Sequence, residues 1–461
     1  MIERSKEIAL AGVLVLAASA AVFAETKVEP LSSSVQRDED VPAAYVDRSV
    51  FCPPAPQGFV ATVRPVASSL IQGPIEMGFE PSEGETSSVG AGEAMVPDAE
   101  SGEPLDVVGY GALPAASTVT AFKSPVDGLG AAACSSVAST EWFFPAGSSA
   151  NGFDERLVLY NPFPDEAVVR VTFFTEGGEL NKASLADVPV SSRDTTTIIV
   201  NEFILQRRAL GIKIEAIRGR VTAWKTVVAK TEDRPHGATT TLGAPATAPL
   251  WYFPSGALGP GNDERISILN PSGKEALVGI TIVTDEETIQ PPELMEIAVP
   301  RNSELDVKLG SAVGEKFSGP VSVVVRSLNQ TGIVVERSVF YGAGKMTGYA
   351  SEIGAPEAAE RWWLGAPGTA LDTDSIVIFN PGQETAEIDI ALSGAGFQAI
   401  GPPPTMQLAS GERLRIPLQE LTNGAAVVAH LTASSPVVAE RVGYSGALKD
   451  FSALMGLPIA P

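Results

Sequence analysis

Two short charged runs recur in this 461-residue chain, and they are the residues whose types could do chemistry. Asp154-Glu155-Arg156 and Asp263-Glu264-Arg265 each lead into an apolar run, and Val335-Glu336-Arg337 and Ala439-Glu440-Arg441 follow further on. General acid–base catalysis would pair Glu155 or Glu264 with an acid from the later run, one carboxyl giving a proton and the other taking it. The third copy argues against this, because it degrades to Asp374-Ser375. A salt bridge between neighbouring strands explains the recurrence better. Exposed, it would be worth only about 0–1 kcal/mol and would set register or the orientation of one domain on the next. No catalytic residue is assigned.

The remaining chemistry-bearing residues are sparse. His236 lies beside Pro235 and Gly237 in a loop pattern, and His430 lies inside a strand pattern. Neither has a Ser, Cys or Asp arrangement around it, and the GxSxG elbow is absent. Gly128-Leu129-Gly130 has Ala133 where a dinucleotide loop needs its third glycine, and no strand–helix context. Walker, HExxH and EF-hand patterns are missing, so neither a cofactor nor a metal is expected. The two cysteines, Cys52 and Cys134, are expected to close one disulfide in an exported chain.

The elements that position the charged runs repeat with them. Trp142-Phe143-Phe144-Pro145-Ala146-Gly147 returns as Trp251-Tyr252-Phe253-Pro254-Ser255-Gly256 and, worn, as Trp362-Trp363-Leu364-Gly365. Asn161-Pro162, Asn270-Pro271 and Asn380-Pro381 close the next apolar run in each copy, at intervals of 270−161 = 109 and 380−270 = 110 residues. That period suits one β-sandwich domain and is too long for a solenoid repeat. The leading Trp fills the space between two sheets. Asn-Pro ends a strand, since proline offers no ladder N–H and asparagine bonds its own backbone in a turn. Two adjacent strand residues face opposite sides, so Trp363, next to the core residue Trp362, is the candidate glycan contact.

These patterns predict an all-β chain of tandem Ig-like antiparallel β-sandwich domains in a row after an N-terminal signal or anchor helix. Residues 1–24 read as a signal peptide or signal anchor, with Arg4 and Lys6 before the uncharged run 8–24. Residues 25–49 read as a flexible linker, and 50–140 as a degenerate β unit with a solvated acidic loop at 73–106. Sandwich repeats follow at 141–248, 249–358 and 359–461. A formal charge of −23, from 55 acids against 32 bases, repels phosphate backbones and anionic headgroups and excludes nucleic acid as a partner class.

Aromatic-Phe-Pro-small-Gly, a Glu-containing step, Leu-x-Asn-Pro and then Pro436-Val437-Val438-Ala439-Glu440-Arg441 resemble a repeat of an uncharacterised actinobacterial extracytoplasmic family. The likeness covers 141–461 well and 50–140 loosely. Gly332-Ile333-Val334-Val335-Glu336-Arg337 is close to the pattern, while the first repeat departs, with Val227-Val228-Ala229-Lys230 in place of the Glu-Arg pair. The resemblance implies a signal-anchored protein encoded near membrane glycosyltransferases, with no established activity. The expected function is a non-catalytic structural or interaction module of the cell envelope, accessory to envelope glycan synthesis. Its partner would be an envelope protein such as a membrane glycosyltransferase, or envelope polysaccharide, with membrane contact through residues 8–24 if they are uncleaved. The alternatives are a glycan-binding surface protein and, behind it, a secreted hydrolase.

Overall fold

The computed structural model describes residues 48–459 except 71–74, 80–86, 90–93, 96–103, 110–113, 315–316, 343, 345, 369–370, 395–404 and 423–426. The signal or anchor at 1–24 and the linker up to residue 47 lie outside the described residues. The chain is all-β: short antiparallel strands build four sandwich units, here I (48–135), II (139–244), III (248–355) and IV (359–458). Among the described residues no helix is long and apolar enough to cross a membrane.

Unit II shows how the sequence makes a sandwich. Phe153–Asn161 lies between Asp194–Ile199 and Thr222–Ala229, and Gly237–Leu242 completes that sheet. The facing sheet is built on Ala167–Thr175 and Leu210–Arg218, with Glu141–Gly147 on one edge. Alternating residues from both sheets, among them Leu157, Leu159, Val169, Val171, Ile212 and Ile214, meet around Trp142 and Phe144. The Trp142 indole is satisfied at the same time, its Nε1 donating to the Val221 carbonyl at 2.8 Å. Trp251 and Trp362 repeat this bond, to Ile333 at 3.0 Å and Val437 at 2.9 Å. A buried aromatic with its polar handle paired contributes apolar area without a desolvation penalty.

The Asn-Pro turns also repeat atom for atom. Asn161, Asn270 and Asn380 are fully buried. Each side-chain amide donates to the carbonyl four residues on (Asp165, Lys274, Glu384) and to a carbonyl of the facing edge (Val190, Val299, Leu408). Each side-chain oxygen accepts from the N–H two residues on. The asparagine thus sews the end of one strand to two loops.

The stretch 73–106, expected to be a loop, contributes the strands Ile75–Phe79, Ser87–Val89 and Leu105–Gly109 to unit I. The apolar residues Leu105 and Val107 alternate inward on the last of these, which the density of acids around it obscured. Unit I also carries the Cys52–Cys134 disulfide. Its place is informative. In units II and III the corresponding contact is an aromatic on a glycine, Phe144 against Gly243 and Phe253 against Gly354. Unit I joins the two positions covalently.

The units are not strung out in a row. The last hairpin strand of each, Gly128–Ala133, Gly237–Leu242, Gly348–Ile353 and Asp450–Met455, packs on the next, and the fourth packs back on the first. The described residues between 48 and 459 therefore form one compact body, a ring of four sandwiches closed by the seam between units IV and I.

Candidate functional site

Register fixes which residues correspond from unit to unit. The first residues of the four inner strands, opposite Phe122, Ala229, Tyr341 and Ser445, are Gly128, Gly237, Gly348 and Asp450. Asp450 sends its carboxylate to the point where the strands meet. Oδ2 accepts from the amides of Leu129 at 2.9 Å and Ala238 at 2.8 Å, and Oδ1 from Tyr349 at 2.7 Å and Phe451 at 2.9 Å. Each unit supplies one donor. A Cβ on Gly237 or Gly348 would stand 2.4 Å from Oδ1, so the carboxylate itself requires glycine there. Burial drives this carboxyl well above the ordinary range and the four amides draw it back. Because all four contacts are donors, the arrangement fits the anion.

Around this centre the recurrent charged residues bridge the seams. Lys225, Arg337 and Arg441 hold one position, across from Leu157, Ile266 and Ile376. Trp224, Glu336 and Glu440 precede them. The first repeat's counterpart of Glu-Arg is thus Trp224-Lys225; the alignment on Val227-Val228-Ala229-Lys230 is corrected, because strand pairing and not the run of valines sets the correspondence. Glu336 of unit III takes Lys225 Nζ of unit II at 2.7 and 2.8 Å, the Ala146 amide at 2.9 Å and the Ser351 hydroxyl at 2.6 Å. Glu440 of unit IV takes Arg337 Nη2 of unit III at 2.5 Å and the Ser255 amide at 3.0 Å. Trp224 of unit II reaches back in the same way, its Nε1 donating to Ala133 of unit I at 3.2 Å. At the closing seam unit I offers Ser117 at this position, and Arg441 turns to Asp374 within its own unit, at 2.6 and 2.9 Å. Two of the ion pairs, Lys225–Glu336 and Arg337–Glu440, are buried and join units, whereas Arg441–Asp374 and the part-exposed Arg265–Asp306 link neighbouring strands of one sheet as expected.

The Glu of the Asp-Glu-Arg run lies beneath this layer. Glu155 and Glu264 are fully buried; a Cβ on Gly256 would stand 2.4 Å from Glu264, and one on Gly147 2.5 Å from the Leu210 carbonyl and 2.8 Å from Glu155. Burial pushes Glu155 up to about 7 against the opposing pull of Lys225 and the Ser148 amide, and Glu264 up to about 7 against Arg337 and the Ala257 amide. The native body therefore holds more protons than the unfolded chain between pH 4.5 and 7. Its stability falls as pH rises through that window and stays low above it. Urea unfolding should give a free energy lower at pH 8 than at pH 5 by on the order of 5 kcal/mol, and Glu155→Gln with Glu264→Gln should shrink the difference. Equal stability at both pH values would refute the assignment.

Trp363 is not a surface aromatic. It does face away from Trp362, as alternation demands, but unit I covers that face. It is 1% exposed, with Nε1 donating to Ser68 of unit I at 2.7 Å. The same position holds Phe51, edge-on to Tyr160 across the first seam, and Tyr252, against Phe379 across the third. Trp363 is the ring-closing member of that series, and the small Ser68 makes room for it. The glycan-contact expectation for Trp363 is therefore withdrawn.

One cleft, of about 620 Å³, opens between units II and III. Its walls include Phe153, Arg208, Thr231 and Arg234 of unit II and Arg265, Ser267, Asp306 and Phe340 of unit III. Arg234 stacks over Phe340 at 4.9 Å and pairs with Asp263 at 3.2 Å, and Arg265 pairs with Asp263 and Asp306. His236 and His430 take no part in this cleft. Among the described residues no cluster of His, Cys, Asp and Glu could hold a metal ion.

A profile for a family of unknown function, DUF5719, matches residues 85–312 and 244–450, two overlapping stretches that together take in most of the chain. The chain belongs to this family. No curated protein matches it. Among solved structures it is similar to Thermotoga maritima 1070, at 21% identity over 24% of this chain and 94% of that one, with a TM-score of 0.21. It is also similar to the Anabaena sensory rhodopsin transducer, at 24% identity over 20% and 87%, with a TM-score of 0.17. The residues that sequence reasoning missed in this DUF5719 chain are the inner glycines, Asp450 and Trp224-Lys225. Only Gly128-Leu129 drew notice, as a nucleotide-loop fragment, and the local sequence around it holds no hint of its partner 321 residues away.

Proposed function

We propose that this DUF5719 chain is a non-catalytic module of an actinobacterial cell envelope, held outside the cytoplasm by residues 8–24 or released after them. It would be a rigid spacer or adaptor for an envelope protein, a membrane glycosyltransferase being the leading partner. One observation carries this reading. The recurrent Glu155 and Glu264 are buried inside their units, and Lys225, Glu336, Arg337 and Glu440 are buried as ion pairs across the seams; none of these six lines the cleft between units II and III. Groups fixed in this way maintain geometry and are poorly placed to exchange protons with a bound substrate. A secreted hydrolase is correspondingly disfavoured.

The test is crosslinking of intact cells that carry a tag after Pro461, followed by separation of membranes from medium. Retention in the membrane with a glycosyltransferase or another envelope protein is the expected result. Recovery only in the medium, starting at Glu25 and without a protein partner, would overturn the adaptor reading.

A further inference from the structure

The cleft between units II and III opens where a residue that is aromatic at the two adjoining seams is small. The residue opposite the start of the inner strand is Phe122 in unit I and Tyr341 in unit III. Phe122 fills the seam to unit II against Val228 and Ala238. Tyr341 fills the seam to unit IV, its ring 4.1 Å from that of Phe451, beside Val377 and Val442. In unit II the residue is Ala229. Across the same seam the counterparts of Val377 and Val442 are the hydroxyl residues Ser267 and Ser338. Compared with the seam between units III and IV, this seam thus differs at three positions, each time toward space or polarity.

We propose that this cleft is a binding site for a neutral saccharide. Its volume lies in the range of about 300–1,000 Å³ typical of ligand sites, and domain junctions are where such sites concentrate. Thr231 lines it with a hydroxyl that is buried and has no hydrogen-bond partner, a group left waiting for one. Phe153 is half-buried on the wall, backed edge-on by Phe340 at 6.2 Å, and gives an apolar face for sugar C–H groups. The charged lining is balanced, Arg208, Arg234 and Arg265 against Glu232, Asp233 and Asp306. Balanced donors and acceptors suit hydroxyls, which are both, and favour neither an anion nor a cation. Arg208 is an exposed donor of the lining and forms no ion pair with any described residue. Gln206 beside it adopts φ +54°, a conformation costly for a residue other than glycine. Its N–H donates to the Ser149 carbonyl at 3.1 Å, and the Ser149 N–H donates to the Arg207 carbonyl at 2.8 Å, so this segment is preset.

This inference goes beyond the adaptor reading, and the two fail separately: the crosslink reports a protein partner and says nothing of the cleft. The test is calorimetric titration of the full chain with maltotetraose, cellotetraose, mannotetraose and xylotetraose, with tetragalacturonate as the acidic control. At least one neutral tetrasaccharide is expected to bind, and tetragalacturonate at least ten-fold more weakly. Ala229→Phe restores the side chain that the neighbouring seams carry and should weaken that binding at least ten-fold. Ser267→Val with Ser338→Val, the residues of unit IV, should weaken it at least five-fold should the first variant not fold. Absence of binding by all four neutral sugars, tighter binding of the acidic one, or unchanged affinity in a folded cleft variant would each overturn the proposal.

Discussion

Asp450→Ala is expected to cost at least about 4 kcal/mol of stability, because it strands four buried amide donors, one from each unit, at about 1 kcal/mol or more apiece. Asp450→Asn should do little better. The side chain keeps its size, but its NH₂ group presents hydrogens to two of the four donors, so at most half the bonds survive. Glycine, the residue of the other three units, restores the repeat and still leaves the donors unpaired. The check is denaturant unfolding of wild type, Ala, Asn and Gly variants, together with limited proteolysis of the seams. An Asn variant within about 1 kcal/mol of wild type would show that the centre needs volume rather than an acceptor.

The second large effect lies at the seam between units III and IV. Glu440→Ala leaves Arg337 buried without its partner and frees the Ser255 amide; Arg337→Ala leaves the Glu440 carboxylate in the same position. Breaking a buried pair from one side costs about 3–5 kcal/mol, whereas replacing both members by apolar residues of similar volume is often neutral. Each single variant should therefore unfold at clearly lower denaturant, and Arg337→Met with Glu440→Leu should recover most of the loss. A double variant as unstable as the sum of the singles would mean that the pair contributes more than geometry and mutual neutralisation. Burial acts to lower the Arg337 guanidinium, but Glu440, together with Tyr341 and Glu264, more than offsets it and holds it above its ordinary value. This cation remains charged throughout such measurements.

What the sequence made legible was whatever a strand carries within itself. Trp142, Trp251 and Trp362 and the Asn-Pro pairs stand out because each solves a local problem, filling one sandwich or ending one strand, and solves it alike three times. The all-β class followed from the same periodicity. The ring did not, since closure depends on pairs such as Trp363 with Ser68, 295 residues apart, whose types differ from seam to seam. Trp363 illustrates the limit: alternation correctly turned it away from Trp362, and no local rule said that another unit would cover it. The cleft was equally hidden, because its signal is an alanine at 229, and an alanine inside an apolar run draws no attention until Phe122 and Tyr341 are placed beside it.

The single carboxylate shared by four strands also bears on how such a molecule can be assembled. Four identical copies of one unit could not reproduce it. With aspartate in every copy, four anions would crowd one point, and with glycine in every copy four amides would face an empty space. The centre works because one copy differs from the other three, so the copies must be covalently ordered to guarantee one aspartate per ring. Divergence between the units is thus a condition of closure, and exchanging unit IV for a second copy of unit II or III should leave a chain whose units fold but whose ring has no keystone.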